Sequence, residues 1–192
     1  MKALGIIRAE HRSLAAVLYT LQAQMRAARE GRLAPDYPLA RQIVDYLESF
    51  HQRFHHPKED DFLFKALRER SAEANAELER LEGEHAEGDT RLAALREALE
   101  RAQSDAGSVQ EFAAEIERYA DFHWRHMRAE EDVVMPLAER LLSLDDWQRI
   151  DAAFEDNDDP LFGKARREEY RRLLAAIAEH APAPFGAGDK HA

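Results

Sequence analysis

Two stretches of this chain set imidazoles and a carboxylate at helical intervals. His51, His55 and Glu59 lie four apart, and His123, His126 and Glu130 lie three and four apart. Residues three or four apart share a helix face, whereas the period of two in a strand would send 123 and 126 to opposite sides. Each stretch therefore predicts a helix carrying a ligand-bearing stripe, and such a stripe needs something to bind.

The apolar residues predict helix nearly throughout. Segment 4–29 carries Ile7, Leu14, Leu18, Leu21 and Met25 on one face, and Gly31 with Pro35 and Pro38 ends it. Segment 38–70 follows, its face marked by Ile43, Leu47, Phe50, Phe54, Phe62 and Leu63. Segment 72–101 carries Leu78, Leu81, Leu92, Leu95 and Leu99, and the stretch 104–108 closes it. Ser108 as N-cap with Glu111 three residues on reads as a capping box for segment 108–142, whose face holds Phe112, Ile116, Tyr119, Phe122 and Val133. Four long helices joined by modest loops predict an all-α fold, an up-down-up-down four-helix bundle over residues 1–142. A C-terminal appendage over 143–192 is expected to pack on it, with short helices at 144–154 and 163–180, a turn between them and a frayed tail.

Composition limits which donors the stripes can offer. The chain has 192 residues, nine histidines and no cysteine, so disulfides, thiolate nucleophiles and sulfur-held metals are excluded. Any metal must be held by nitrogen and oxygen. Acidic residues outnumber basic ones by 38 to 27, a formal charge of −11, which argues against a nucleic-acid or anionic-membrane surface. Nothing at the N-terminus reads as a signal peptide and no apolar run reaches a membrane span, so a soluble, cytoplasmic protein is expected.

Each of the four helical segments bears at least one histidine: His11 after Glu10, His55 with Glu59, His85 after Glu84, and His126 with Glu130. In antiparallel helices these fall near one level, as a dinuclear site in a bundle core requires. Four imidazoles and two carboxylates are too many ligands for one tetrahedral zinc. Two irons sharing Glu59 and Glu130 fit better, because bridging carboxylates favour paired cations and imidazole suits iron.

The runs FHHPKEDDFLF at 54–64 and HWRHMRAEEDVVMP at 123–136 resemble the paired H-x-x-x-E motifs of hemerythrin-like, HHE cation-binding proteins. Glu10-His11 and Glu84-His85 resemble that family's single-histidine motifs, and the resemblance covers about residues 4–142. It implies a four-helix bundle around two non-haem iron ions, oxo- or hydroxo-bridged, with His11, His55, Glu59, His85, His126 and Glu130 as ligands. Glu131 is the alternative second carboxylate, because oxygen-carrying hemerythrins space that acid one residue further. Those carriers also have a histidine one turn before the one matching His85, where this chain has Leu81. That leaves an open position, or one filled by Glu82, Glu84, His51 or His123.

The implied function is a non-haem di-iron, metal-binding protein that meets O2 or another small diatomic or peroxide ligand, in oxygen or redox sensing, binding or iron handling. A di-iron enzyme acting on peroxide or NO is the alternative; no hydrolase- or transferase-type catalytic motif is visible. No nucleic-acid or membrane partner is expected, and a homodimer is left open. A ferritin-like reading would use Glu48-x-x-His51 and Glu82-x-x-His85 but leaves His11, His55 and His126 unexplained. A metal-independent interaction bundle leaves the paired stripes unexplained. His56 lies about 100° around an α-helix from His55 and is expected beside the site rather than in it, and His123 is balanced between ligand and supporting roles. Pro57 removes a helical hydrogen bond and predicts a kink, while Gly83 and Gly88 flanking His85 leave room for a close approach of a neighbouring helix or for a ligand channel.

Overall fold

Burying these stripes against one another builds the molecule. The computed structural model describes residues 1–161 and 170–188, and its secondary structure is helical. Helix α1 is Lys2–Arg29. Helix α2 runs without a break over 37–70, α3 is Asn75–Ser104, and α4 covers 109–141. Two shorter helices follow, α5 at Leu144–Glu155 and α6 at Arg171–His180. Residues 163–169 of the predicted terminal helix, and His191, lie outside the described residues. Among the described residues no helix is long and apolar enough to cross a membrane.

Cross-helix contacts run in reverse order between neighbours. Along α2 and α3, Tyr37 Oη donates to the Ala102 carbonyl at 2.8 Å, Arg96 reaches Asp45 and Glu48, His85 meets Asp60, and Arg68 pairs with Glu82. The α1–α4 pair shows the same order, from Gln22 with Glu117 to His11 with Glu131 and Arg8 with Glu139. So does α3–α4, from Arg101 with Glu111 to Glu84 with His126.

The apolar faces form two cores. One gathers Leu14, Leu18, Leu21, Ile43, Leu47, Leu95, Leu99, Phe112 and Ile116. The other gathers Leu4, Ile7, Leu63, Phe64, Leu67, Leu78, Leu81, Val134 and Met135. The histidine and glutamate stripes lie between them in chain order on all four helices, and their side chains are buried. The C-terminal elements join both cores: Trp147, Ile150 and Phe154 enter the second, and Leu161, Tyr170, Leu173 and Ile177 the first. Asp151 of α5 accepts from the Ala3 N–H at 2.8 Å, placing a carboxylate at the positive N-terminal end of α1.

Three local expectations are corrected. Ser108 precedes α4 but does not cap it. Its hydroxyl donates to Asp105, and Glu111 pairs with Arg101 instead. The capping box sits at Ser143 and Asp146, where α5 begins. The tail is not frayed through residue 188: Ala187 N–H donates to the Ala178 carbonyl and Gly188 N–H to the Ala181 carbonyl, taking up carbonyls at the end of α6.

The third correction concerns which residues of α2 and α4 face inward, and it begins at Pro57, where the helix continues as expected but changes its turn. Over Leu47–His55 and Glu130–Val134 the backbone widens to π geometry, so the His56 N–H donates to His51 and the Met135 N–H to Glu130, each five residues back. Pro57 and Pro136 follow immediately. Proline lacks an N–H and its ring collides with the carbonyl four residues earlier, and the wider turn carries that carbonyl aside. The extra residue in the turn also resets the faces. Phe54 is 53 % exposed, Phe62 and Val133 lie at the surface, and Phe64 and Val134 are fully buried.

Candidate metal centre

Between the two apolar cores the bundle buries a layer of ionisable groups: His11 and Glu10 from α1, His51, His55, His56 and Glu59 from α2, His85 from α3, and His123, His126 and Glu130 from α4. Burying so many polar side chains is unfavourable unless each finds a partner. Most ring nitrogens on the outer side of the layer do. His55 Nδ1 is 2.6 Å from Glu10, His11 Nδ1 2.8 Å from Glu131, His85 Nδ1 2.7 Å from Asp60, and His126 Nδ1 2.9 Å from Glu84. In each case the acid comes from a different helix than the histidine. Each acid is also the chain neighbour of another residue in the layer, since one step along a helix turns a side chain toward the adjacent helix. A carboxylate on Nδ1 holds a hydrogen there and turns Nε2 inward, the arrangement of metal-ligating histidines.

Those Nε2 atoms converge on two carboxylates. His55 Nε2 lies 3.4 Å and His85 Nε2 3.6 Å from Glu59. Glu130 is approached by His11 and His126 at 3.2 Å each and by His85 at 3.6 Å. His85 and His126 stand 3.0 Å apart through their Nε2 atoms. Two compact donor groups contain these carboxylates: His11, His55 and Glu59, and Glu59, His85, His126 and Glu130. Glu59 belongs to both, and Glu130 touches histidines of both.

The donor set fits a metal pair. Both oxygens of Glu59, both of Glu130, and His11 Nε2 are buried without a hydrogen-bond partner. Buried carboxylates with no partner are costly, by about 1–3 kcal/mol or more each. Bonds of about 2.0–2.2 Å to an ion place neighbouring donors about 3 Å apart, close to the 3.0–3.6 Å spacings here.

As protein alone, the layer divides its charge unevenly. Burial and the charge of Glu130 hold the Glu59 carboxyl well above the usual carboxylate range. Burial pushes Glu130 the same way, but His126, His11 and His85 outweigh it and hold Glu130 well below. Burial disfavours charge on His126, yet Glu130 and Glu84 push it up to about 9. His11 and His85 are raised against the same opposition from burial by their acidic partners. Burial and neighbouring imidazoles hold His51, His56 and His123 well below the usual range, so these three are neutral.

All six sequence-predicted residues, His11, His55, Glu59, His85, His126 and Glu130, meet in this layer. Glu131 does not enter it; its carboxylate stays on the rim, holding His11 from outside. Glu82 pairs with Arg68, Glu84 with His126 Nδ1 and Arg80, and Glu48 with Arg53 and Arg96. None of the three faces the centre, which removes the Glu-x-x-His arrangement of a ferritin-like site. His51 and His123 are buried in the layer but away from the two carboxylates' donor groups, with all four ring nitrogens unpartnered. His56, expected outside, is inside. The π turn sets it over His51, and its ring stacks on His85 at 4.2 Å. Sequence reading also missed Asp60 as a support and Phe64, whose ring stacks on His85 at 5.7 Å. An acid beside each stripe residue was the available signal for the first.

Gly88 packs where α3 meets α2: a Cβ there would lie 2.1 Å from Gln52 Nε2, while Gly83 faces open space.

The family model for the Hemerythrin HHE cation binding domain matches residues 2–138, and the chain belongs to that family. No curated protein and no solved structure matches the chain.

Proposed function

We propose, with that membership as premise, that this chain is a cytoplasmic non-haem di-iron protein, an up-down-up-down four-helix bundle that meets O2 or a related small molecule. His11 and His55 would hold one ion, His85 and His126 the other, with Glu59 and Glu130 shared between them. The observation that carries this reading is the convergence of four Nε2 atoms on two buried carboxylates whose oxygens have no hydrogen-bond partner. An iron pair so held supplies one- and two-electron chemistry toward O2, peroxide or NO.

The protein's own groups prepare and protect the centre. Glu10, Glu131, Asp60 and Glu84 orient the four imidazoles and raise their basicity. Phe64 against His85 and Phe122 against His126 form apolar walls that exclude water from the second donor group. The first donor group faces His51, whose ring stands 5.1 Å from that of His55.

Metal analysis and visible spectra under argon and air test the reading. About two irons per chain and a spectrum that changes on admitting air are expected. A chain that takes up zinc alone after anaerobic iron reconstitution would refute it. A second reading, turnover of peroxide or NO, draws on His51 and His123, whose unpartnered nitrogens offer proton-handling groups inside the bundle. Stopped-flow consumption of H2O2 or NO that falls in His51→Ala and His123→Ala, with iron retained, supports it; consumption unchanged in both refutes it.

A further inference from the structure

We propose that His56 is an additional metal ligand, the third imidazole at the His85–His126 end of the centre, and that Gln52 and Gly88 exist to hold it there. The assignment rests on the di-metal reading above and adds a residue to it.

The second donor group described so far holds two imidazoles, His85 and His126. The position one turn before His85 is Leu81, which is fully buried in the apolar core. Neither Glu82 nor Glu84 compensates, because each is engaged elsewhere. His56 reaches the place from α2. In an α-helix it would point about 100° away from His55. The π turn instead bonds its N–H to the His51 carbonyl and brings the ring inward. There it is parallel to His85 within 14° and lies 5.5 Å from His126, centroid to centroid. One donor atom from each of His56, His85 and His126 lies within 4.8 Å of the others. His51 groups with His55 and His56 instead, and among the described residues His123 falls in none of the groups.

The support of His56 is of the same kind as that of the other four. Its Nδ1 is 2.9 Å from Gln52 Oε1, so the amide accepts the Nδ1 hydrogen and leaves Nε2 bare. Gln52 reaches this position only because α3 offers no side chain opposite it. A Cβ on Gly88 would meet Gln52 Nε2 at 2.1 Å, Oε1 at 2.6 Å and Cδ at 2.8 Å. A glycine inside a 30-residue helix weakens it, and here the vacancy is filled by the amide that fixes His56. The amide is a neutral acceptor where the other four histidines have carboxylates, so His56 is the least basic of the five donors.

The test uses the full chain loaded with Co(II), whose paramagnetism shifts the exchangeable Nδ1–H proton of each ligating histidine far outside the normal proton NMR range. Five such resonances are expected, from His11, His55, His56, His85 and His126. In His56→Gln four should remain, with cobalt content retained at saturating ion and affinity lower by more than the roughly 10- to 100-fold that loss of a ligand's hydrogen-bonded support costs. Gln52→Ala keeps the imidazole and should move one resonance while leaving the other four in place. Four resonances in the wild type, unchanged in His56→Gln, would overturn the assignment while leaving the di-metal reading intact. A spectrum unmoved by Gln52→Ala would overturn the role of Gln52. A wild-type chain that takes up no Co(II) overturns the di-metal reading itself and the assignment with it.

Discussion

Replacing Gly88 with alanine sets two effects of similar size against each other, and the metal decides which is seen. Alanine is the better helix former by about 1 kcal/mol in a helix interior. That gain is opposed at Gln52, whose amide nitrogen would lie 2.1 Å from the new Cβ. The amide is the far end of a flexible side chain, so it swings away rather than moving the helix. Its bond to His56 Nδ1, 2.9 Å long, is then lost. A lost net hydrogen bond and an unpartnered buried donor together cost about 1–3 kcal/mol. In the metal-free protein the two terms nearly cancel, and the melting temperature should move by only a few degrees, since 1 kcal/mol corresponds to about 2–4 °C for a chain of this size. In the metal-loaded protein His56 has also lost its support. A 10- to 100-fold loss of affinity removes about 1.4–2.8 kcal/mol of the stabilisation that ligand binding confers. The rise in melting temperature on loading should therefore shrink by about 3–10 °C. Scanning calorimetry of both forms, wild type against Gly88→Ala, measures the difference directly. Equal stabilisation of both forms by about 1 kcal/mol would refute the reasoning, because it would make Gly88 an ordinary weak point in α3.

Glu130→Gln should lose iron from the centre, whereas Glu131→Gln should keep the iron but lower its affinity about 10-fold, since Glu131 acts through His11 Nδ1; equal metal loss in both variants, read by elemental analysis, would contradict that division. Glu10→Gln should weaken metal binding by a similar factor through His55, detectable as a lower midpoint in a competition titration with a chelator. Loading should release protons at pH 7. His126 is pushed up to about 9, so it holds a proton in the metal-free chain that the ion must displace, and Glu59, held well above the carboxylate range, gives up its proton later than an ordinary carboxylate. Affinity should then rise with pH up to about 9 and fall in acid, and calorimetric titrations in buffers of different ionisation enthalpy should report the released protons; none at pH 7 would refute the assignment of charge.

Much of the centre could be read from residue types and spacing. A chain without cysteine has only nitrogen and oxygen to offer, and the His/Glu stripes at 51–59 and 123–130 mark two of the helices as candidates to hold a metal. The apolar stripe of α1 was legible throughout, because Ile7, Leu14, Leu18, Leu21 and Met25 keep α-helical period over a helix with no interruption and all five are buried. The faces of α2 and α4 were legible only up to their wide turns. Beyond them Phe54, Phe62 and Val133 were expected inside and face out. The prolines that mark those turns, Pro57 and Pro136, signal a missing hydrogen bond but not whether the helix stops, bends or widens.

By itself, then, the sequence determined the helical class, the candidate donor chemistry and the order in which the histidine-bearing helices follow one another. These depend on residue type and on neighbours within one turn, which a linear pattern records. Only the tertiary structure decided that Glu130 faces the centre while Glu131 holds His11 from the rim, and that Glu10, Asp60 and Glu84 each support a histidine on another helix. The inward turn of His56 and the fit of Gln52 against Gly88 are likewise outcomes of packing. Each is a contact between side chains far apart in the chain, set by how the helices rotate about their axes when their apolar faces close. Adjacent acids such as Glu130 and Glu131 differ by only about 100° of that rotation, and the closing of the bundle fixes it.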